Sequence, residues 1–141
     1  RMTGMEIVAC IDIEKYSTAV SGIRSATVIL TENQKEHIIK RRGREFFDYC
    51  RPLMGEILED PDYILRDRAH ENTVICCKTF LMDGKNINLV VRLAAAGDTE
   101  GLESSIITAI VENDRRSSRP TEAKWISRFT KENNWYIMKV E

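Results

Sequence analysis

The chemistry open to this chain rests on a few side chains. His37 is followed within one helical turn by Lys40 and Arg41, and His37 and Arg41, four residues apart, share one helical face. A neutral imidazole placed there can take a proton from a hydroxyl, and a neighbouring guanidinium can stabilise a crowded phosphate. From Lys35 to Arg44 the chain carries five cations (Lys35, Lys40, Arg41, Arg42 and Arg44) against one anion, Glu36. A solvated helix face accounts for such a run as readily as a phosphate-binding surface does. The second histidine, His70, stands in a polar stretch and reads as incidental.

Strand phase supplies the remaining candidates. In Thr73–Met82 (TVICCKTFLM), Lys78 falls on the same side as Val74, Cys76 and Phe80. In Lys85–Leu93 (KNINLVVRL), Arg92 goes with Asn88 and Val90, and in Glu103–Val111 (ESSIITAIV), Thr108 goes with Ile106 and Ile110. A cation among apolar residues on a sheet either faces a substrate or snorkels to an edge, and a mid-strand threonine fits strand propensity alone. Trp135 and Tyr136 can stack an unpaired base, or pack as core. Neither the acidic residues Asp12, Glu14, Asp60 and Asp62 nor the cysteines Cys10, Cys50, Cys76 and Cys77 have metal-ligand spacing, so no metal and no cofactor is expected. Free thiols are the expectation for all four cysteines, with Cys76 and Cys77 on opposite faces of one strand.

The elements that must position these groups centre on Thr31–Leu65. Thr31, with Gln34 three residues later, signals a capped helix start. Gly43 offers a break, and Phe46, Cys50, Leu53, Met54, Ile57 and Leu58 recur at helical spacing after it. Pro52 kinks that second segment or marks its true start, and Asp60-Pro61-Asp62 stops it. Upstream, Met5–Ile13 reads as an edge strand or arm, 15–24 as a loop or short helix, and Ala26–Leu30 as a short apolar run. Downstream, Tyr63–Arg66 reads as a short strand and 66–72 as a loop. Asp83-Gly84 then turns an antiparallel hairpin, 94–102 forms a loop, and 103–111 forms another strand. Pro120 opens a short helix through Asn133, and Trp135–Val140 is a final strand or tail. Helices first and strands after give an α+β expectation: N-terminal helices on a roughly four-stranded antiparallel sheet.

At 141 residues, with 43% apolar and 30% charged content, the chain fits one soluble domain spanning 1–141. A net charge of −1 argues against a generally basic nucleic-acid coat and leaves room for a local patch. No apolar run approaches a membrane span, and Arg1-Met2-Thr3-Gly4 is not followed by a signal core, so a cytoplasmic location is expected. P-loop, dinucleotide and nucleophile-elbow motifs do not occur.

Taken together, His37-Ile38-x-x-Arg41, the apolar helix, Glu56–Ile64 (EILEDPDYI), Lys78, the strand ending Asn88–Arg92 and Ile106–Ala109 (IITA) resemble the phage-type branch of the barnase–EndoU–colicin–RelE nuclease superfamily. The resemblance covers roughly residues 26–114. It implies helices on a four-stranded antiparallel sheet and metal-independent cleavage of RNA, with tRNA the usual target among relatives. Carried over, it marks His37, Arg41, Arg92 and Thr108 as active-site positions. Lys78 is a further cation, Lys40, Arg42, Arg44, Trp135 and Tyr136 are RNA-binding candidates, and an immunity or phage structural protein is a candidate partner. The chain departs from the pattern at Arg42, where relatives often have histidine. The alternative is a catalytically inactive, phage-associated interaction module of the same fold.

Overall fold

A computed structural model describes residues 4–67, 70–80, 85–113 and 135–139, the side chains of 85, 112, 113 and 135–139 excepted. Its first element is strand β1 (Met5–Cys10), followed by the short helix α1 (Ile13–Tyr16) and strand β2 (Thr27–Thr31). Helices α2 (Glu32–Arg42), α3 (Arg44–Cys50) and α4 (Met54–Glu59) come next, the last two joined by a 3-10 turn at Arg51–Leu53. Strands β3 (Tyr63–Asp67), β4 (Thr73–Phe80), β5 (Lys85–Arg92), β6 (Ser104–Asn113) and β7 (Trp135–Lys139) complete the order.

The seven strands form one sheet in the order β1-β2-β6-β5-β4-β3-β7. All neighbours are antiparallel except β2 and β6, which pair in parallel through Val28↔Ser104 and Ile29↔Ser105. The architecture is therefore α+β, but the sheet is mixed and larger than the expected four antiparallel strands. The helices are also not N-terminal, since β1, α1 and β2 precede them. The reason lies in Ala26–Leu30, an apolar run with no sequence-adjacent partner. Its β2 strand finds one at β6, more than seventy residues away, and no local pattern encodes that pairing.

Local signals fare better. Thr31 caps α2, its side-chain oxygen accepting from the Gln34 N–H at 3.2 Å. Gly43 ends the helix at φ 98°, a left-handed value that glycine adopts without a Cβ penalty, and its N–H donates to the Ile39 carbonyl at 2.7 Å. Pro52 lies in the 3-10 turn, where its missing N–H costs nothing, and α4 ends at Asp60 ahead of Pro61. The hairpin pairs as expected, from Thr73↔Arg92 to Phe80↔Lys85, while its turn at 81–84 lies outside the described residues. So does the expected helix at 120–133. β3 runs one residue further than expected, through Asp67. At the sheet's far edge β1 pairs with β2 through a register shift between Ile7 and Ala9.

Helices and sheet meet in one large core. Ile38, Phe47, Cys50, Met54, Ile57 and Leu58 pack with the strand residues Val28, Leu30, Ile64, Val74, Cys76, Ile87, Leu89, Val91, Ile106 and Ala109. The opposite face holds a smaller cluster, Tyr63, Leu65, Ile75 and Cys77, with Val90 against it. Cys76 and Cys77 thus serve different faces, and all four cysteines are free thiols. On that second face Asn88 is fully buried with neither amide atom hydrogen-bonded, a cost of about 1–3 kcal/mol relative to a satisfied amide.

Tyr16 ties the N-terminal segment to this core. It is fully buried, its hydroxyl donates to the Leu58 carbonyl at 2.6 Å, and Cys76 Sγ lies 3.3 Å away. The Leu58 carbonyl is in the last turn of α4, where helix carbonyls lack intrahelical donors. Tyr16→Phe keeps the ring and removes that donor, leaving a buried carbonyl unsatisfied. It is expected to cost about 1–3 kcal/mol, read as a lower urea midpoint with an unchanged slope; a midpoint equal to that of the parent would show that the bond contributes nothing net.

Candidate functional site

The end of α2 presents the basic run to solvent. His37, Lys40, Arg41 and Arg42 are exposed, as is Arg44 at the start of α3. Two cations of the run are engaged. Arg44 pairs with Asp48 at 3.4 Å on the same helix, and the Lys35 ammonium sits 5.6 Å from the centre of the Phe47 ring. Among the described residues, the side chains of Lys40, Arg41 and Arg42 take part in no hydrogen bond or ion pair. Their place in the last turn also suits the negative end of the helix dipole.

Lys78, Arg92 and Thr108 do not join His37 and Arg41 in one cleft. Lys78 lies on the helix-bearing face with Val74 and Cys76, and its ammonium donates to the carbonyl of Asp60 at 2.8 Å and to its carboxylate at 3.2 Å. It fastens the end of α4 to β4. Arg92 follows Val90 on the opposite face and sits at the other end of the hairpin. Lys78 pairs with Ile87, and five residues of β5 from Ile87 to Arg92 span about 17 Å. Thr108 pairs with Val90 and so shares the face of Arg92. It does not share a face with Ile106. A register shift on β6 places Ile106 opposite Val91 and in the large core, so simple alternation fails at that point. Trp135 and Tyr136 belong to β7, where they pair with Asp67 and Arg66, but their side chains lie outside the described set.

Arg92 is not a free cation either. Its Nη1 and Nη2 donate to the two carboxylate oxygens of Asp98 at 3.0 and 2.9 Å, and Nη1 also reaches the Leu93 carbonyl at 3.1 Å. Asp98 accepts the Ala95 N–H at 2.8 Å as well. These hydrogen bonds, the Arg92 pair foremost, hold the Asp98 carboxyl down at about 2. Arg24 grips the same loop from outside, donating to the Asp98 carbonyl at 2.6 Å. The clamp fixes the loop 94–98 at the end of β5.

One pairing at that end escaped the sequence reading. His70 Nδ1 hydrogen-bonds the Asp67 carboxylate; the imidazole is 76% exposed and the carboxylate 5%. A buried acid that fixes Nδ1 leaves Nε2 as the nitrogen able to exchange a proton, which is how an orienting carboxylate serves a base. The pair belongs to a polar end of the second face. Thr73 pairs with Arg92, and Arg92 pairs with Ser105. Asp67 stands one residue beyond the Arg66↔Val74 pair, next to Thr73. The turn itself is anchored by the Leu93 N–H, which donates to the Asn72 carbonyl at 2.8 Å. The legible signal was a D-x-x-H spacing between two strands, close enough for the two side chains to meet.

Among the described residues no group of three or more histidine, cysteine, aspartate or glutamate side chains is placed to hold a metal, and no helix is long and apolar enough to cross a membrane. No family model, no curated protein and no solved structure matches the chain.

Asp98 gives this end of the sheet an acid signature. A carboxyl whose folded value lies below its unfolded one stabilises the fold above the unfolded value. That contribution drains away as pH falls from about 3.8 towards about 2. Urea unfolding across this range is expected to show the parent losing stability more steeply than Asp98→Asn, which should be weaker at pH 5 and flatter below it. Parallel curves would show that the Arg92 clamp does not report on folding.

Proposed function

We propose that this domain binds RNA through the exposed basic end of α2, as an interaction module of nuclease-like fold. The observation that carries the reading is the trio Lys40, Arg41 and Arg42, exposed and with no side-chain hydrogen bond or ion pair among the described residues. Cations left unpaired on a chain of net charge −1 form a local surface for phosphates, and releasing condensed counterions drives such binding. The resemblance to the barnase–EndoU–colicin–RelE superfamily points to RNA as the polyanion. The test is filter binding of total tRNA over a salt series. The Lys40→Glu/Arg41→Glu/Arg42→Glu variant, altered only at exposed positions, should bind at least about tenfold more weakly. The slope of log K against log salt should fall by roughly two to three units. Unchanged affinity and slope would overturn the reading.

A second reading, metal-independent cleavage, is favoured by one observation: the Asp67–His70 pair lies on the face that also carries Arg92 and Thr108. In this reading His70 Nε2 takes the proton of an RNA 2′-hydroxyl. The freed oxygen attacks the adjacent phosphorus, the bond to the 5′-oxygen breaks, and that oxygen takes a proton from water, giving a 2′,3′-cyclic phosphate and a 5′-hydroxyl. His37, with no carboxylate partner among the described residues, is not the base. Cleavage of tRNA should therefore fall by about 10² or more in His70→Ala and stay near the parent level in His37→Ala. DNA, which lacks the hydroxyl, should survive. The reverse pattern in the two variants would return the role to His37, and an absence of cleavage would leave the binding module.

A further inference from the structure

The shape of the basic end of α2 narrows the class of RNA it fits. Successive residues of an α-helix are 100° apart at 3.6 residues per turn, so Lys40, Arg41 and Arg42 sweep about 200° of the helix circumference. A helix lying flat on a sheet keeps one side covered, as the buried Ile38 and half-buried Ile39 do one turn earlier. Exposure of all three cations, with Arg42 one turn after the buried Ile38, leaves no side of the last turn of α2 fully covered. The corner that follows is open too. Gly43, Arg44 and Glu45 are exposed, and a Cβ built on Gly43 would meet nothing within 4 Å.

The result is a convex knuckle with free positive charge on more than half its circumference. Single strands are held differently, in grooves whose exposed aromatic side chains stack the bases. The knuckle offers neither: the aromatic residues of α3, Phe46, Phe47 and Tyr49, are half-buried or buried beneath it. Charge radiating to both sides of an exposed helix end suits two phosphate rows that face each other. The narrow major groove of an A-form helix supplies such rows at its rims.

We infer that the α2–α3 corner recognises double-helical RNA, with Lys40 and Arg42 contacting opposite phosphate rows across one groove. The inference rests on the RNA-binding reading above and adds the substrate class. Binding should be independent of sequence, because the contacts go to phosphates and not to base edges.

The experiment compares the full chain with an RNA duplex of about 20 base pairs and with each of its single strands, by fluorescence anisotropy at fixed salt. The duplex is expected to bind at least about tenfold more tightly than either strand. Lys40→Ala and Arg42→Ala should each weaken duplex binding by several-fold. Equal or tighter single-strand binding would overturn the inference and leave the RNA-binding reading standing, provided the triple charge reversal still abolishes binding. An effect of only one of the two alanine variants would also overturn it, since the corner would then touch a single row. No binding to either form would defeat the underlying reading instead.

Discussion

β4 lies inside the sheet between β5 and β3, with Val74 and Cys76 in one core and Ile75 and Cys77 in the other. Alternation along a strand lets each residue serve one face only, and both faces here are buried, so the phase of β4 cannot slip by even one residue. That constraint settles the phase of its neighbours. It commits Lys78 to the helix-bearing face and, through the Thr73↔Arg92 pair, commits Arg92 to the other. Residues that look like parts of one site along the chain are kept apart by the geometry that makes the sheet stable.

The cations divide by what they touch. Lys78 secures the end of α4, Arg51 bonds Glu6 on β1 at 2.6 Å, Arg66 donates to the Ala19 carbonyl at 2.7 Å, and Arg24 and Arg92 hold the loop 94–98. All but Arg92, which reaches only six residues along the chain, join elements distant in sequence, and each is partly spent in doing so. Lys40, Arg41 and Arg42 join nothing among the described residues. Among the described residues, the cations tied into the fold leave less free charge than their number implies.

What the sequence made legible was local. The Thr31 cap, the Gly43 break, the stop at Asp60-Pro61 and the β4–β5 pairing each follow from the conformational preferences of a few adjacent residues. The parallel β2–β6 pairing joins segments separated by most of the chain, so Ala26–Leu30 could be read as apolar but not placed. Thr108 was misphased relative to Ile106 because one register shift on β6 resets the alternation, and no residue type announces it. Of the candidate site, the exposed basic run was legible because a capped helix of known phase carries it. The exposure of three successive cations at its end was not, because that depends on what the rest of the fold packs against α2. The Asp67–His70 pair was missed for another reason: a histidine in a polar stretch looks incidental until the fold sets a buried carboxylate beside it.

The shift of register in β1 has a consequence for the protein in a crowded solution. β1 is an outer strand of the sheet, and Ile7 on it is 65% exposed, a combination that invites another chain to add itself alongside. The irregularity between Ile7 and Ala9 breaks the even spacing of the outward backbone groups and increases the local twist. Glu6 and its partner Arg51 place an ion pair on the same short strand. An incoming strand would lose alignment at that point, so the edge resists templating polymer growth even though its apolar side chain is left in water.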